Sequence, residues 1–231
     1  MHPRPSHYCP TARAFTLIEL LAVIVIIAVL MALLFPVLSE MKHRARRTEA
    51  ATTLGGIVSA SKNYYNDYGN YPRVSTALDG DFYSFGDITN GGCKANNSDL
   101  FDILRKISRG PNTDHKLNQR QQLYYSGPRA QDTKNPRSGF CDGSDFGGGK
   151  EGQLMDPWGA QYCVVLDATG EEEISMGSFY SDLAGSTNVV RQSPVAFSLG
   201  RDNKRGGTGY ENRFRKPGSS EAPDDIVSWR Q

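Results

Sequence analysis

The sequence predicts an α+β protein in which one long N-terminal helix precedes short β-strands. Residues 20–35 are all apolar, and apolar residues then recur at three- and four-residue spacing until Tyr68, as in an amphipathic helix. Two later apolar runs, residues 162–166 and residues 195–199, have the length of buried strands. The intervening residues 78–150 are rich in Gly, Asn, Asp and Ser, which predicts either an elaborated loop region or a small inserted subdomain. A short amphipathic helix is predicted at residues 99–107, and residues 119–125 are a candidate second short element.

The first half of the long helix is predicted to cross a membrane. A helix over residues 15–38 would measure about 36 Å at about 1.5 Å per residue, against about 30 Å for a bilayer core. Glu19 places a carboxylate in this segment, and a charge at the centre of such a helix costs roughly 2.5–3.5 kcal/mol. Near the end of the span the cost is lower, but the carboxylate still requires a partner. The amine released by a cut before Phe15 would supply one.

The residues around this carboxylate form a specific motif. Ala-Phe-Thr-Leu-Ile-Glu-Leu-Leu begins at Ala14, directly after a short basic leader. It resembles the prepilin peptidase site of type IV pilins and type II secretion pseudopilins, although the family usually has Gly where Ala14 stands. The resemblance implies cleavage between Ala14 and Phe15 and methylation of the new Phe15 amine. It also implies that Glu19 pairs with the terminal amine of a neighbouring subunit during assembly.

Simpler segments also contain apolar runs. A secretory signal has an apolar region of about 7–15 residues and a small-x-small cleavage site, whereas this run is longer and no Ala-x-Ala follows it. A plain signal anchor does not need Thr-Leu-Ile-Glu at its start.

The positive-inside rule alone favours the opposite orientation, because a basic cluster follows the apolar run. Its members are Lys42, Arg44, Arg46 and Arg47.

The resemblance divides the chain into three parts. Residues 1–14 are a leader peptide, residues 15–66 are the long helix, with the transmembrane span at about 15–38, and residues 67–231 are a globular domain outside the cytoplasm. It also implies a pilin-like fold, in which the helix packs on a small antiparallel β-sheet. A Gly-x-Tyr-Pro turn, which follows the long helix in pseudopilins, is present at residues 69–72.

Composition and the remaining motifs give no argument for an enzyme or for nucleic-acid binding. The formal net charge is +1, so no overall field attracts nucleic acid. Ser and Asp are abundant, but no His lies beside them in a nucleophile motif. Gly-Gly-Gly-Lys at residues 147–150 lacks the spacing of a phosphate-binding loop. We therefore expect neither catalysis nor a nucleic-acid partner.

Four cysteines are present, and Cys9 would be lost with the leader. The remaining three lie in a domain that should occupy an oxidising compartment, where one disulfide is permitted. Cys93 and Cys141 both lie in loop-like sequence, and we predict that they pair. Cys163 lies in an apolar strand and is predicted to be a buried thiol.

Asp-Pro-Trp-Gly at residues 156–159 is a second landmark. Pro presets φ for a tight turn, Asp can accept hydrogen bonds from its own downstream backbone, and Gly tolerates positive φ. The motif precedes the strand at residues 162–166. In this position it resembles the major pseudopilin of type II secretion more closely than a type IV pilin.

The C-terminal segment contains a third landmark. Ser-x-Gly-x-Asp ends at Asp202, Gly-Gly follows at residues 206–207, and Asp-Ile-x-x-Trp ends at Trp229. This order resembles the carboxy-terminal loop of major pseudopilins, which holds calcium in that family. Residues 210–223 depart from the pattern, because they form a longer and more basic spacer.

The resemblance implies a set of calcium ligands in this loop. It comprises the carboxylates of Asp202, Asp224 and Asp225 and backbone carbonyls such as that of Leu199. Carboxylate and carbonyl oxygens on a Gly-rich loop suit a hard cation that takes about 6–8 oxygen ligands. The alternative is a metal-free turn whose acidic side chains are solvated.

Together these features predict a structural subunit of a type II secretion pseudopilus. The resemblance implies a single-pass protein of the bacterial inner membrane with its C-terminal domain in the periplasm. Its implied partners are prepilin peptidase, other pseudopilin subunits, the inner-membrane assembly platform and membrane lipid. One alternative is a type IV pilin-like subunit for adhesion, motility or DNA uptake, which the long insertion at residues 78–150 could favour. Another is a membrane-anchored enzyme or binding protein.

Overall fold

The computed structural model describes residues 17–147, 149–180, 189–206 and 224–229. The chain divides into two units, Met1–Ala45 and Arg46–Gln231. Helix α1 (Leu17–Tyr68) begins in the first unit and ends in the second. The predicted processing residues Ala14 and Phe15 lie outside the described residues.

The described part of the first unit is helical throughout, and its apolar side chains face solvent. The exposed fraction is 81% for Leu17 and 67% for Phe35. The helix continues through position 36, as the sequence predicts. Among the described residues, no helix has both the length and the apolarity that crossing a membrane requires. The span at residues 15–38 therefore stays a prediction.

The part of α1 in the second unit buries one face. Its buried residues recur every three or four positions, which places them on a single stripe. They are Ala50, Leu54, Ile57, Ala60 and Tyr64. The helix ends at Tyr68, two residues beyond the predicted residue 66. Gly69 then adopts φ +70°, and its N–H donates to the carbonyl of Tyr65 at 2.7 Å.

Nine strands lie in the described part of the chain. They are β1 (Leu78–Asp79), β2 (Phe82–Phe85), β3 (Gly139–Phe140), β4 (Leu154–Met155), β5 (Cys163–Asp167), β6 (Ile174–Ser175), β7 (Val189–Val190), β8 (Val195–Ser198) and β9 (Ile226–Val227). Five of them form the main antiparallel sheet in the order β1-β2-β5-β8-β9, and the others form two small two-stranded sheets. β3 pairs with β4 and β6 with β7. The fold is thus α+β, with a long N-terminal helix followed by a small antiparallel sheet, as predicted.

Both faces of the main sheet are covered. On β5, Val164 and Leu166 belong to the core that includes α1, whereas Cys163 and Val165 belong to a second core on the opposite face. All five residues of β5 are buried. Burial on both faces explains why this strand is a continuous apolar run rather than an alternating one.

The region predicted as an elaborated loop contains more regular structure than expected. Helix α2 (Asn97–Leu104) confirms the short helix predicted at residues 99–107, and it buries Leu100, Phe101, Ile103 and Leu104. Strand β2 also lies in this region, and no sequence pattern predicts it. Residues 119–125 form a turn and extended backbone rather than a second regular element.

Candidate functional site

The Asp-Pro-Trp-Gly turn is built around the buried side chain of Asp156. Its Oδ1 accepts hydrogen bonds from the backbone N–H groups of Trp158, Gly159 and Ala160 at 2.9, 2.8 and 3.0 Å. Gly159 adopts φ +101°, a conformation that glycine adopts without a steric penalty. Burial raises the pKa of the Asp156 carboxyl in spite of these hydrogen bonds.

The same carboxyl connects two landmarks that are far apart in the sequence. The hydroxyl of Ser198 donates to Oδ2 of Asp156 at 2.6 Å. Ser198 is the last residue of β8 and the first residue of the Ser-x-Gly-x-Asp motif. The turn at residues 156–159 therefore supports the start of the predicted calcium loop.

Replacing Asp156 with Ala should destabilise the domain by roughly 3–5 kcal/mol. The substitution removes the acceptor of three backbone N–H groups and of the Ser198 hydroxyl. Asp156→Asn should cost much less, since its amide oxygen can still accept from the backbone and its NH₂ can donate to Ser198. Chemical denaturation of each variant measures the difference.

Asp132→Ala is the matched control. Asp132 also accepts from two downstream N–H groups, those of Lys134 and Asn135 at 2.9 and 3.1 Å, but it is exposed. Its loss should cost less than about 1 kcal/mol. Equal losses for Asp132→Ala and Asp156→Ala would contradict the importance assigned to the buried turn.

Strand pairing brings the ends of the C-terminal loop together. In the antiparallel register of β8 and β9, Ser198 pairs with Ile226, so the residues after β8 lie against those before β9. Gly200 adopts φ +66° and packs so closely that a Cβ there would collide with the backbone carbonyl of Asp224. Glycine is therefore required at position 200 for this close approach.

The three predicted carboxylate ligands lie close together where the residues after β8 meet those before β9. Asp202, Asp224 and Asp225 place carboxylate oxygens within 4.8 Å of one another. The N–H of Asp202 donates to Oδ2 of Asp224 at 3.1 Å. Leu199, whose carbonyl is the fourth predicted ligand, is buried between β8 and Gly200. The predicted spacer at residues 210–223 lies outside the described residues, and the acidic residues on either side of it lie close together.

Asp225 is the most unusual of the three, because it is a carboxylate that is 1% exposed. Its Oδ2 accepts from the Tyr180 hydroxyl at 2.8 Å and the Gly206 N–H at 2.7 Å. Its Oδ1 is buried and has no hydrogen-bond partner among the described residues. Burial raises the pKa of Asp225 to about 8, and the neighbouring Asp224 and Asp202 carboxylates contribute in the same direction. Burial is also the main cause of the raised pKa of Asp202.

These features fit a divalent cation. A buried acceptor without a donor is costly, and clustered carboxylates repel one another. A hard cation ligated by these oxygens would relieve both costs. The sequence did not identify Tyr180 or Gly206 as supports of Asp225. Gly206 was visible only as part of a Gly-Gly pair, and no local signal marks Tyr180.

The predicted assembly carboxylate lies at the start of the described helix. Glu19 is exposed and belongs to the first turn of α1 as the structure describes it. Its predicted pairing with the amine of a neighbouring subunit stays a prediction.

The structure does not bring the predicted disulfide partners together. Cys93, Cys141 and Cys163 are all buried free thiols. Cys93 lies in the same core as Cys163, because the pairing of β2 with β5 sets Cys163 beside the loop that carries Cys93. Cys141 belongs to a separate small cluster, with Ala130, Phe146 and Met155. Cys93 and Cys141 thus lie in different clusters, and the structure gives no support to their predicted pairing.

Comparison with known proteins agrees with the N-terminal motif. Residues 10–35 match the model of the prokaryotic N-terminal methylation motif. The chain is 35% identical over 75 residues to the type IV major pilin protein PilA of Myxococcus xanthus, which covers 32% of this chain and 34% of that protein. It is 38% identical over 65 residues to the fimbrial protein EcpC of Eikenella corrodens, covering 28% of this chain and 42% of the relative.

A third relative is the type IV major pilin protein PilE of Neisseria gonorrhoeae, with 37% identity over 65 residues, 28% of this chain and 39% of the relative. The matches thus span between about one third and two fifths of the curated relatives. No solved structure matches the chain.

The methylation motif, the relatives and the fold together make this chain similar to the type IV pilin-like proteins, a class that includes the pilins and the pseudopilins. The motif implies that the N-terminal region is anchored in a membrane.

Proposed function

We propose that this protein is a structural subunit of a type II secretion pseudopilus, which assembles through its N-terminal helix and drives protein export across the outer membrane. The observation that carries the proposal is the methylation motif at residues 10–35, which leads into a helix with exposed apolar side chains. A surface of this kind is stable only in lipid or against other subunits.

The physical character of this segment keeps it out of water, both in lipid before assembly and among other helices in a filament. Each apolar side chain that leaves water contributes roughly 1.5–3 kcal/mol, and many of them are exposed along residues 17–38. Cleavage before Phe15 would leave an ammonium close to Glu19 of a neighbouring subunit. The pair would neutralise two charges that are each expensive in an apolar filament core.

Before assembly, the protein is a single-pass protein of the bacterial inner membrane, with its C-terminal domain in the periplasm. Prepilin peptidase removes residues 1–14, and the inner-membrane assembly platform adds the subunit to the filament. Membrane lipid surrounds the helix before assembly. Such a subunit needs no active site, and we do not expect enzymatic activity.

A calcium ion in the C-terminal loop is part of the proposal. Asp202, Asp224 and Asp225 would ligate it together with the carbonyl of Leu199. The positive charge of the ion would offset the repulsion among these carboxylates. The ion would also hold the loop after β8 against the segment before β9. The hydrogen bond between Ser198 and Asp156 supports the start of the same loop.

The second candidate is a type IV pilin-like subunit for adhesion, motility or DNA uptake. The names of the relatives, which are pilins and a fimbrial protein, favour it. The contact between the Asp-Pro-Trp-Gly turn and the Ser198–Asp202 loop favours the pseudopilus, because both motifs resemble the major pseudopilin.

A deletion strain with an epitope-tagged copy of the chain separates the candidates. A pseudopilus subunit should be confined to the cell envelope, and its loss should abolish export of secreted proteins to the medium. Surface filaments, and lost adhesion, motility or DNA uptake with normal export, would favour the pilin. Normal export together with the absence of filaments in every fraction would contradict both.

A further inference from the structure

The thiols of Cys93 and Cys163 lie close together beside Gly86, the first residue after β2. They belong to the core on the sheet face opposite to α1. A Cβ built on Gly86 would lie 2.7 Å from Sγ of Cys163 and 3.0 Å from Sγ of Cys93. Because both sulfurs lie so close to one point, they are near neighbours. Next to burial, the neighbouring Cys163 contributes to the raised pKa of the Cys93 thiol. The absence of a side chain at Gly86 leaves the space that the two sulfurs share.

The backbone around Gly86 fixes this arrangement. Phe85 pairs with Val164 across β2 and β5, so Gly86 stands opposite Cys163. The loop then returns: the Gly86 N–H donates to the Ala95 carbonyl at 2.7 Å, and the Cys93 N–H donates to the Asp87 carbonyl at 3.1 Å. Both cysteines are therefore held by main-chain hydrogen bonds rather than placed by chance on mobile loops.

Both thiols are inaccessible in the folded domain. Cys93 is 2% exposed and Cys163 is 0% exposed. Burial raises the pKa of the Cys93 thiol well above its ordinary value, which suppresses the reactive thiolate. Any oxidation of this pair therefore belongs to folding, when the sulfurs are still accessible, and its product would be protected once the core has formed.

We propose that Cys93 and Cys163 are the disulfide partners of this domain, an inference that rests on its proposed location outside the cytoplasm. The oxidant is a protein or small-molecule disulfide of the kind that oxidising compartments hold. The thiolate of one cysteine attacks the oxidant and releases one of its sulfurs as a thiolate. The second cysteine thiolate then attacks the mixed disulfide, forms the Cys93–Cys163 bond and releases the other. The two protons lost by the cysteines are taken up by the reduced oxidant.

The bond would join β5 to the loop after β2 and close a long segment of chain. Closing a long loop stabilises a fold chiefly by restricting the unfolded chain. Reduction of the full chain in detergent should lower Tm by roughly 5–15 °C. The same treatment should have no such effect on Cys93→Ser, which lacks the bond.

The test is disulfide mapping of the full chain. Free thiols are alkylated at the moment of lysis, and the protein is digested and examined by mass spectrometry without reduction. We expect one cross-linked pair of peptides joining Cys93 to Cys163, lighter by two hydrogens than the separate peptides, and an alkylated Cys141. Cys141→Ser is the matched control and should keep the cross-link, because Cys141 lies in another cluster.

Refolding of the full chain in a glutathione redox buffer separates this inference from the proposed location. A Cys93–Cys163 bond formed both there and in cells supports both. A bond formed in the buffer, with both cysteines alkylated in cells, supports the pairing and contradicts the oxidising compartment. A bond from Cys93 to Cys141, or no bond under either condition, overturns the pairing.

Discussion

Replacing Glu19 with Val should abolish filament formation while the protein remains in the membrane. The substitution removes a carboxylate from the first described turn of α1, and each neighbouring subunit then buries a terminal ammonium without a partner. Loss of one member of a buried ion pair costs roughly 3–5 kcal/mol. That penalty corresponds to at least about a hundredfold in an assembly equilibrium.

Electron microscopy of sheared envelope fractions, together with membrane fractionation, measures this effect. Glu40→Val is the matched control, because Glu40 lies on the same helix but forms an exposed pair with Arg44 at 3.0 Å. Exposed pairs contribute about 0–1 kcal/mol, so this variant should assemble normally. Normal filaments in the Glu19→Val strain would remove the proposed role of the carboxylate.

Calcium should raise the melting temperature of the full chain in detergent. At a concentration of about 100 Kd a ligand stabilises the folded state by about 2.7 kcal/mol, which corresponds to a shift of about 5–10 °C for a protein of this size. Excess chelator should reverse the shift. Identical melting temperatures in calcium and in chelator would show that the loop is held without a metal.

Asp202→Asn distinguishes a ligand from a structural residue. The amide can still accept the 2.8 Å hydrogen bond from the N–H of Lys204, but it lacks the charge. The variant should lose most of the response to calcium. In chelator it should be at least as stable as the natural chain, because one negative charge beside Asp224 and Asp225 is gone. Lower stability in chelator would indicate a structural role instead.

The pH dependence in chelator provides an independent check on Asp225. Its folded pKa of about 8 lies above the ordinary value of 3.8, so the folded state binds more protons than the unfolded state between these values. This carboxyl therefore contributes stability that is fully present below pH 3.8 and is lost as the pH rises through about 8. Calcium should counteract the loss and bind more tightly as the pH rises, since protons compete for its ligands. Melting curves across this range measure both trends.

The sequence predicts elements whose signal is local. Helix α1 follows from the spacing of Leu54, Ile57 and Tyr64, and β5 follows from an unbroken apolar run. Strand β2 (Phe82–Phe85) has neither signal, because it is short, contains a buried Ser and lies in a Gly- and Asp-rich stretch. Its position is determined by pairing with β5, which is distant in the sequence.

The same distinction applies to the sites. Asp202, Asp224 and Asp225 could be named from a family-like order of residues, and the structure brings them together. Among the described residues the buried Oδ1 of Asp225 has no hydrogen-bond partner, and its Oδ2 accepts from Tyr180. Both features depend on tertiary packing that no local pattern records. The neighbour of Cys93 likewise depends on the register of β2 and β5, so loop-like sequence pointed to Cys141 instead of Cys163.

The amino terminus of the mature protein tests the central claim, that this chain is processed and assembled as a pilin-like subunit. Intact-mass and terminal-peptide mass spectrometry of the protein extracted from membranes should find a chain that begins at Phe15 and carries a methyl group on its amine. A strain without prepilin peptidase should retain residues 1–14. Recovery of the chain with Met1 and the uncut Ala14–Phe15 bond from peptidase-competent cells would contradict the account.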